Sequence, residues 1–281
     1  MSRQQTLQKL KQDAGLYLSY SQLNSYLLCS QKYRYRYVEK RPRERVSASL
    51  FLGTALHTAL ERYYLSAKDK GQIEPLDTLE EMVAHSLAID CDLAEVPIKF
   101  KREAPDRQSL ISLGKSLVQT FYENVYLTGF QIVGVEMPVA AELFDENGEP
   151  TDFKLVGVID LLLRDDQGEL VVVDNKTSVK AKSQADVDAD LQFSSYSYLL
   201  AATGMAFARS DIKCRMDVLR KLKAPTFEQY HTVRTPDMRR RFSKIASTVL
   251  QAISAGVFIP QQSWLCSDCE FSRACSRWHQ Q

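Results

Sequence analysis

Apolar positions in the first half of the chain recur at intervals of three and four, and after Gly129 the interval drops to two. Ser19 and Gln22 have the spacing of a capping box, and Leu23, Tyr26 and Leu27 follow at helical intervals toward Cys29. A helix is therefore expected to start near Ser19. Leu52, Leu56, Ala59, Leu60 and Tyr63 give a second helical period from Leu50 to about Ala67, with His57 at the edge of the apolar stripe. Glu74 to Tyr126 is helical in pattern apart from the polar, Pro-containing stretch Pro97 to Arg107. These residues read as a helical insertion at about 68–128 within a single domain, 1–281.

The period-two segments Gln131 to Leu143, Phe153 to Arg164 and Glu169 to Asp174 are rich in Val, Ile and Leu. Turn sequences separate them, Asp145 to Gly148 and Asp165 to Gly168, so a three-stranded meander is expected. A helix from about Asp188 to Thr203, strands near Ile212 to Leu222 and Phe227 to Val233, and a long helix from Pro236 to about Ala255 complete an α/β pattern. No internal repeat or low-complexity linker divides it.

Apolar runs stop at four or five residues, far short of the roughly 18 that a membrane span needs, and Met1 to Lys11 does not build a signal core. A cytoplasmic location is the expectation. Lys and Arg total 36 against 35 Asp and Glu, a net charge of +1, which excludes a uniformly basic DNA-coating protein. Charge is instead clustered locally: Lys32, Arg34, Arg36, Lys40, Arg41, Arg43 and Arg45 interleave with Tyr33, Tyr35 and Tyr37. Guanidinium groups suit phosphates and tyrosine rings suit unpaired bases, so Lys32, Arg34, Arg36 and Arg41 are candidate DNA contacts. A solvated face over core tyrosines is the competing reading of the same run.

Candidate chemistry lies at the ends of two strands. Asp174 and Lys176 are two residues apart on a strand and share a face, and Asp160, ending Gly157-Val-Ile-Asp160, lies on the neighbouring strand. Two carboxylates beside an ammonium match metal-assisted phosphodiester hydrolysis: oxygen ligands for a hard cation and a lysine for the attacking water. Taken alone, an Asp-x-Lys pair at a strand end is more often a solvated ion pair.

In order and spacing, "GTALHTALE" with His57, "GVID" with Asp160, "VVVDNKTS" with Asp174 and Lys176, and "QFSSY" with Gln192 and Tyr196 resemble the RecB-like branch of the PD-(D/E)xK nuclease superfamily. That branch includes RecB and AddB nuclease domains and CRISPR-adaptation exonucleases. The resemblance implies a restriction-endonuclease-like mixed central sheet flanked by helices. It also implies Mg2+ or Mn2+ held by His57, Asp160, Asp174 and the backbone carbonyl of Asn175, with Lys176 catalytic and Gln192 and Tyr196 positioning DNA or the lysine. An imidazole ligand favours manganese competence. Glu61, one turn after His57, and Glu136, acidic within an apolar strand, are open positions, each with an ordinary exposed role as its alternative.

Three of the six cysteines, Cys266, Cys269 and Cys275, crowd the C-terminal end. With His279 they form a compact Cys3His zinc knot; with Cys29 they form a four-thiolate site joining the tail at 260–281 to the N-terminal helix. The family resemblance implies the second arrangement, enclosing a [4Fe-4S] cluster, although Ser30 stands where relatives commonly have Pro after the first Cys. Cys91 and Cys214 fall outside the pattern and read as buried small hydrophobes.

The expectation is thus a metal-dependent DNA exonuclease acting on single strands or free ends in recombination, repair or CRISPR adaptation. No G-x-x-x-x-G-K-[ST] motif is present, so unwinding would fall to a helicase partner. The rival readings are a non-catalytic subunit that binds DNA ends and a zinc-dependent nucleic-acid-binding module.

Overall fold

A computed structural model describes residues 3–280. Helix α1 (Arg3–Ala14) leads into a short strand β1 (Tyr17–Ser19) and helix α2 (Tyr20–Leu28). The capping box forms as the spacing predicts: Ser19 N donates to Gln22 Oε1 at 2.8 Å and Gln22 N to Ser19 Oγ at 3.3 Å. A short helix α3 (Ser30–Tyr33) and a π-helical turn (Arg34–Val38) carry the basic run.

Strand β2 (Val46–Ser47) precedes the long helix α4 (Ala48–Lys70), which ends on Gly71 in the left-handed region, the usual device for stopping a helix. Two packed helices follow, α5 (Leu76–Asp92) and α6 (Arg107–Asn124), with β3 (Ile98–Lys99) between them pairing with β2. The meander follows as β4 (Phe130–Phe144), β5 (Pro150–Asp165) and β6 (Leu170–Ser178). Helices α7 (Gln184–Asp188) and α8 (Leu191–Ala202) then cross to β7 (Ile212–Arg220), parallel to β6, and β8 (Thr226–Arg234) closes the edge. Helix α9 (Pro236–Ser254), a 3-10 turn (Trp264–Asp268) and α10 (Ser272–Trp278) finish the chain.

The sheet is mixed and covered on both faces. One face packs on α2, α8 and α9 through Leu23, Phe193, Leu199 and Phe242; the other packs on α4, α5 and α6 through Leu56, Val83 and Phe121. Burial on both sides explains the near-continuous apolar run Leu170 to Val173 in β6.

Strand β5 determines where chemistry can sit. Along one side it pairs with β4 for almost its whole length, but on the other it pairs first with β1, at 154–156, and then with β6, at 161–164. Between those partners the sheet forks, and Gly157 to Asp160 occupies the fork. A side chain at Gly157 would bring its Cβ to 2.9 Å from Leu199 Cδ1, so glycine lets α8 approach β5 closely. Among the described residues no helix is long and apolar enough to cross a membrane.

Candidate active site

The ladder between β5 and β6 ends at Leu161 opposite Val173, one residue short of Asp160 and Asp174. Asn175 N donates to Asp160 Oδ2 at 2.9 Å, replacing the ladder bond that would have continued the sheet. Asp160 and Asp174 are both buried, which is costly for two carboxylates unless a counter-charge accompanies them.

His57 reaches Asp160 from α4. Its Nδ1 lies 3.3 Å from Glu136 Oε1 and 3.7 Å from Asp160 Oδ2. Ligand atoms of His57, Glu136 and Asp160 fall within 4.8 Å of one another, a spacing suited to a single ion. Glu136 is the position the sequence left open, and the structure brings it in. It sits in the left-handed region at φ 43° in the middle of β4, a conformation that costs a non-glycine residue of the order of 1–3 kcal/mol. The surrounding register, Val135 with Leu161 and Met137 with Ile159, sets Glu136 opposite Asp160. The only hint in the pattern was an acidic residue in an apolar strand.

Asp174 stands beside this triad and faces Lys176, whose Nζ is 2.7 Å from Asp174 Oδ2. Burial, reinforced by the Asp160 charge and opposed by Lys176, pushes the Asp174 carboxyl up to about 7. Asp174 Oδ1 is buried with no hydrogen-bond donor. A buried carboxylate oxygen without a donor, close to Asp160 of the triad, fits a divalent cation. Withdrawal from water works against the Lys176 ammonium, but Asp174 and Asp160 outweigh it and raise its pKa. Lys176 Nζ also donates to Gln192 Oε1 at 2.8 Å, and Gln192 Nε2 donates to Tyr196 Oη at 2.7 Å. Gln192 and Tyr196 are one turn apart on α8, whose first turn Asp190 caps by accepting from Gln192 N at 2.7 Å.

Tyr20 has no counterpart among the sequence-level candidates. Tyr20 lines the cavity that reaches Gln192; burial raises its pKa, and the charges of Asp190 and Asp174 raise it further. A tyrosine within a helical apolar stripe gives no signal of such a position.

The sequence model of the PD-(D/E)XK nuclease superfamily matches residues 17–276, almost the whole chain. The chain belongs to the PD-(D/E)XK nuclease superfamily. Members of this superfamily use divalent metal ions, and the acidic and histidine cluster of this nuclease is of that kind. A solved structure of a candidate exonuclease from Eubacterium rectale shares the fold, with TM-score 0.51 and 12% identity over 90% of this chain and 86% of that one. A second solved structure, of SSO0001, aligns over 92% of this chain and 93% of that one at 15% identity, with a TM-score of only 0.40. A search of curated proteins returns no significant match.

The four cysteines of the split pattern come together in this nuclease. Cys29, Cys266, Cys269 and Cys275 line one cavity of about 490 Å3, which His279 also borders. Gln261 N points at Cys29 Sγ at 3.5 Å and Ser263 N at Cys266 Sγ at 3.4 Å. Burial raises the Cys275 thiol pKa, and the neighbouring Cys29, Cys269 and Cys266 raise it further. The donor chemistry fits a four-thiolate site. Cys214 is buried and Cys91 half-buried, both away from this cavity.

Independent contacts also dock the tail. Glu44 accepts from Arg273 N and Ala274 N, both at 3.0 Å, and so caps α10 from the far end of the sequence. Ser30 donates to Ile259 O at 3.1 Å and accepts from Ile259 N at 2.7 Å, a pair of bonds that proline at this position would not provide.

For two of the three tyrosines, Tyr33 and Tyr35, the structure favours the core reading over base stacking. Tyr33 stacks on Phe258 and Tyr35 packs on Phe271, both rings buried, because the tail needs an apolar surface to dock on. Arg34 and Arg41 pair with Glu39, and Arg36 and Arg43 with Glu270. Lys32 and Arg36 nevertheless line a cavity of about 370 Å3 that runs to Gln192.

Proposed function

We propose that this nuclease is a Mg2+- or Mn2+-dependent exonuclease that hydrolyses single-stranded DNA from a free end. The observation that carries the reading is the convergence of His57, Glu136 and Asp160 within 4.8 Å, next to the Asp174–Lys176 pair. His57, Glu136, Asp160, Asp174 and the Asn175 carbonyl would hold the ion. When bound, it supplies charge neutralisation and Lewis-acid polarisation at the scissile phosphate.

The chain's own groups supply the rest. Lys176, held charged by Asp174 and anchored by Gln192, donates a hydrogen bond toward the water that attacks phosphorus and fixes its line of approach. Gln192 and Tyr196 set the lysine's position from α8. Lys32 and Arg36 border the adjoining cavity and would neutralise backbone phosphates.

For the tail we favour a structural [4Fe-4S] cluster on Cys29, Cys266, Cys269 and Cys275. All four thiols line one cavity, with Cys29 brought to it from the other end of the chain, which supports a four-thiolate site. Biology in recombination, repair or CRISPR adaptation, with a helicase or adaptation protein as partner, is the corresponding expectation.

Linear and circular single-stranded DNA, each incubated with purified protein in Mn2+ and in EDTA, test the activity. Loss of linear DNA to mononucleotides or short oligomers in Mn2+ alone, with circles intact, is the expected result. Intact linear DNA, or circles cut as fast as linear DNA, would overturn the exonuclease reading.

A further inference from the structure

The chain has two tryptophans, and one of them, Trp264, is 77% exposed. An indole is among the largest apolar surfaces a residue can bury, so leaving it in water forgoes a substantial stabilisation. The turn that carries Trp264 is nevertheless tied down. Trp264 opens the 3-10 turn, its carbonyl accepts from Ser267 Oγ at 3.0 Å, and the same turn is tied to β3 by Lys99 Nζ, 2.7 Å from Asp268 Oδ1.

The Lys180 ammonium lies 5.7 Å from the centroid of the indole. Its loop is also pinned: Ser178 Oγ donates to Lys180 O at 2.6 Å and an Arg220 Nη donates to Val179 O at 3.0 Å. Lys180 is four residues beyond Lys176, so at most about 14 Å of chain separates them. Ser263 and Leu265, which flank Trp264, line the cavity of about 370 Å3 that Gln192 also lines. An exposed indole with a cation beside it therefore stands next to the cavity that reaches Gln192, the hydrogen-bond partner of Lys176.

We propose that Trp264 and Lys180 form a stacking subsite for one unpaired base, and the adjacent phosphate, of the strand entering the cleft. The inference rests on the nuclease reading and deepens it by naming what recognises single strands. A flat indole face accepts any base, and Lys180 neutralises the phosphate next to it. Bases in a duplex are already stacked and cannot use the platform, so the subsite selects unpaired DNA. It also takes the role that the buried Tyr33 and Tyr35 rings cannot fill.

Binding in EDTA separates this subsite from catalysis. A Trp278→Phe protein retains Trp264 as its one tryptophan, and titration with an oligothymidylate is expected to quench its emission. Trp264→Ala should weaken binding of that oligomer by roughly 5- to 100-fold, with Trp264→Phe retaining most of the affinity. Lys180→Gln should make the slope of log affinity against log salt shallower by roughly 0.7. An oligomer of abasic residues should bind wild type and Trp264→Ala alike. Absence of quenching together with unchanged oligothymidylate affinity in Trp264→Ala overturns the subsite, as does an equal loss on the abasic oligomer. Trp264-dependent binding without any cleavage in Mn2+ would count against the nuclease reading alone.

Discussion

Lys176 Nζ donates to Gln192 Oε1 at 2.8 Å, and this bond links the strand that carries the acidic site to the helix that covers it. Gln192 is neutral, so it restrains the ammonium without competing for its charge. Removing it leaves Lys176 held from one side by Asp174. Hydrogen bonds to charged groups contribute about 1.5–3 kcal/mol, so Gln192→Ala should lower the cleavage rate roughly 10- to 100-fold. DNA affinity in EDTA should fall much less. Steady-state kinetics on a labelled oligomer checks this, and an unchanged kcat would remove Gln192 from the positioning role.

Glu136 combines a buried carboxylate with φ 43°. Glu136→Gly removes both the buried charge and the backbone strain, which glycine does not feel. The metal-free variant should melt at a higher temperature than wild type, by about 1–3 kcal/mol of added stability, while Mn2+ affinity falls roughly 10-fold or more. Calorimetry of the two metal-free proteins, followed by Mn2+ titration, measures both effects. A destabilised Glu136→Gly with normal Mn2+ affinity would make Glu136 a purely structural residue.

Asp174 gives the metal-free protein a pH dependence of definite sign. Its carboxyl is pushed up to about 7, against roughly 3.9 in an unfolded chain. A group whose folded pKa is raised contributes stability below its unfolded pKa and loses it as pH rises through the folded value. Metal-free wild type should therefore lose stability relative to Asp174→Asn between about pH 4 and 7, and apparent Mn2+ affinity should rise across the upper part of that window. Thermal melts at several pH values in EDTA read the first effect. Parallel pH profiles for the two proteins would contradict it.

The tail prediction separates the two metal sites that the cysteine spacing allows. Cys29 reaches the cavity from the end of α2, more than two hundred residues from Cys266, so its thiolate closes a very long loop, whereas His279 closes a local one. Anaerobically purified protein should be brown and contain iron, Cys29→Ala should lose the colour, and His279→Ala should keep it. One zinc per chain, with Cys29→Ala benign and His279→Ala unstable, would reverse the assignment. The capping of α10 by Glu44 predicts further that Glu44→Ala exposes the tail to proteolysis even with Cys29 intact.

Most of the architecture was legible in periodicity, because the helices and the meander bury one stripe or one face at a regular interval. Ser19 and Gln22 announced α2, and the two turns ending at Gly148 and Gly168 separated the meander strands as expected. Strand β1 leaves no trace in the pattern because three residues carry no period, and it pairs with β5 far away in sequence. Asp160, Asp174, Lys176, Gln192 and Tyr196 were readable as motifs, and the structure brings them together at the fork in the sheet. Glu136 was not decided by pattern, since its inward turn depends on one residue's φ. The fate of Tyr33 and Tyr35 was hidden for the opposite reason: the surface that buries them, Phe258 and Phe271, is contributed by the other end of the chain.

The central claim is that Asp174 and Lys176 serve metal-dependent hydrolysis at the fork. Its most direct test is the rate at which Asp174→Ala and Lys176→Ala degrade end-labelled single-stranded DNA in Mn2+, with folding verified by thermal melts. Both variants are predicted to remain folded, to bind the oligomer in EDTA, and to cleave at least 100-fold more slowly than wild type, a loss of about 2.7 kcal/mol or more of transition-state stabilisation. Cleavage by folded Asp174→Ala at the wild-type rate would contradict the account.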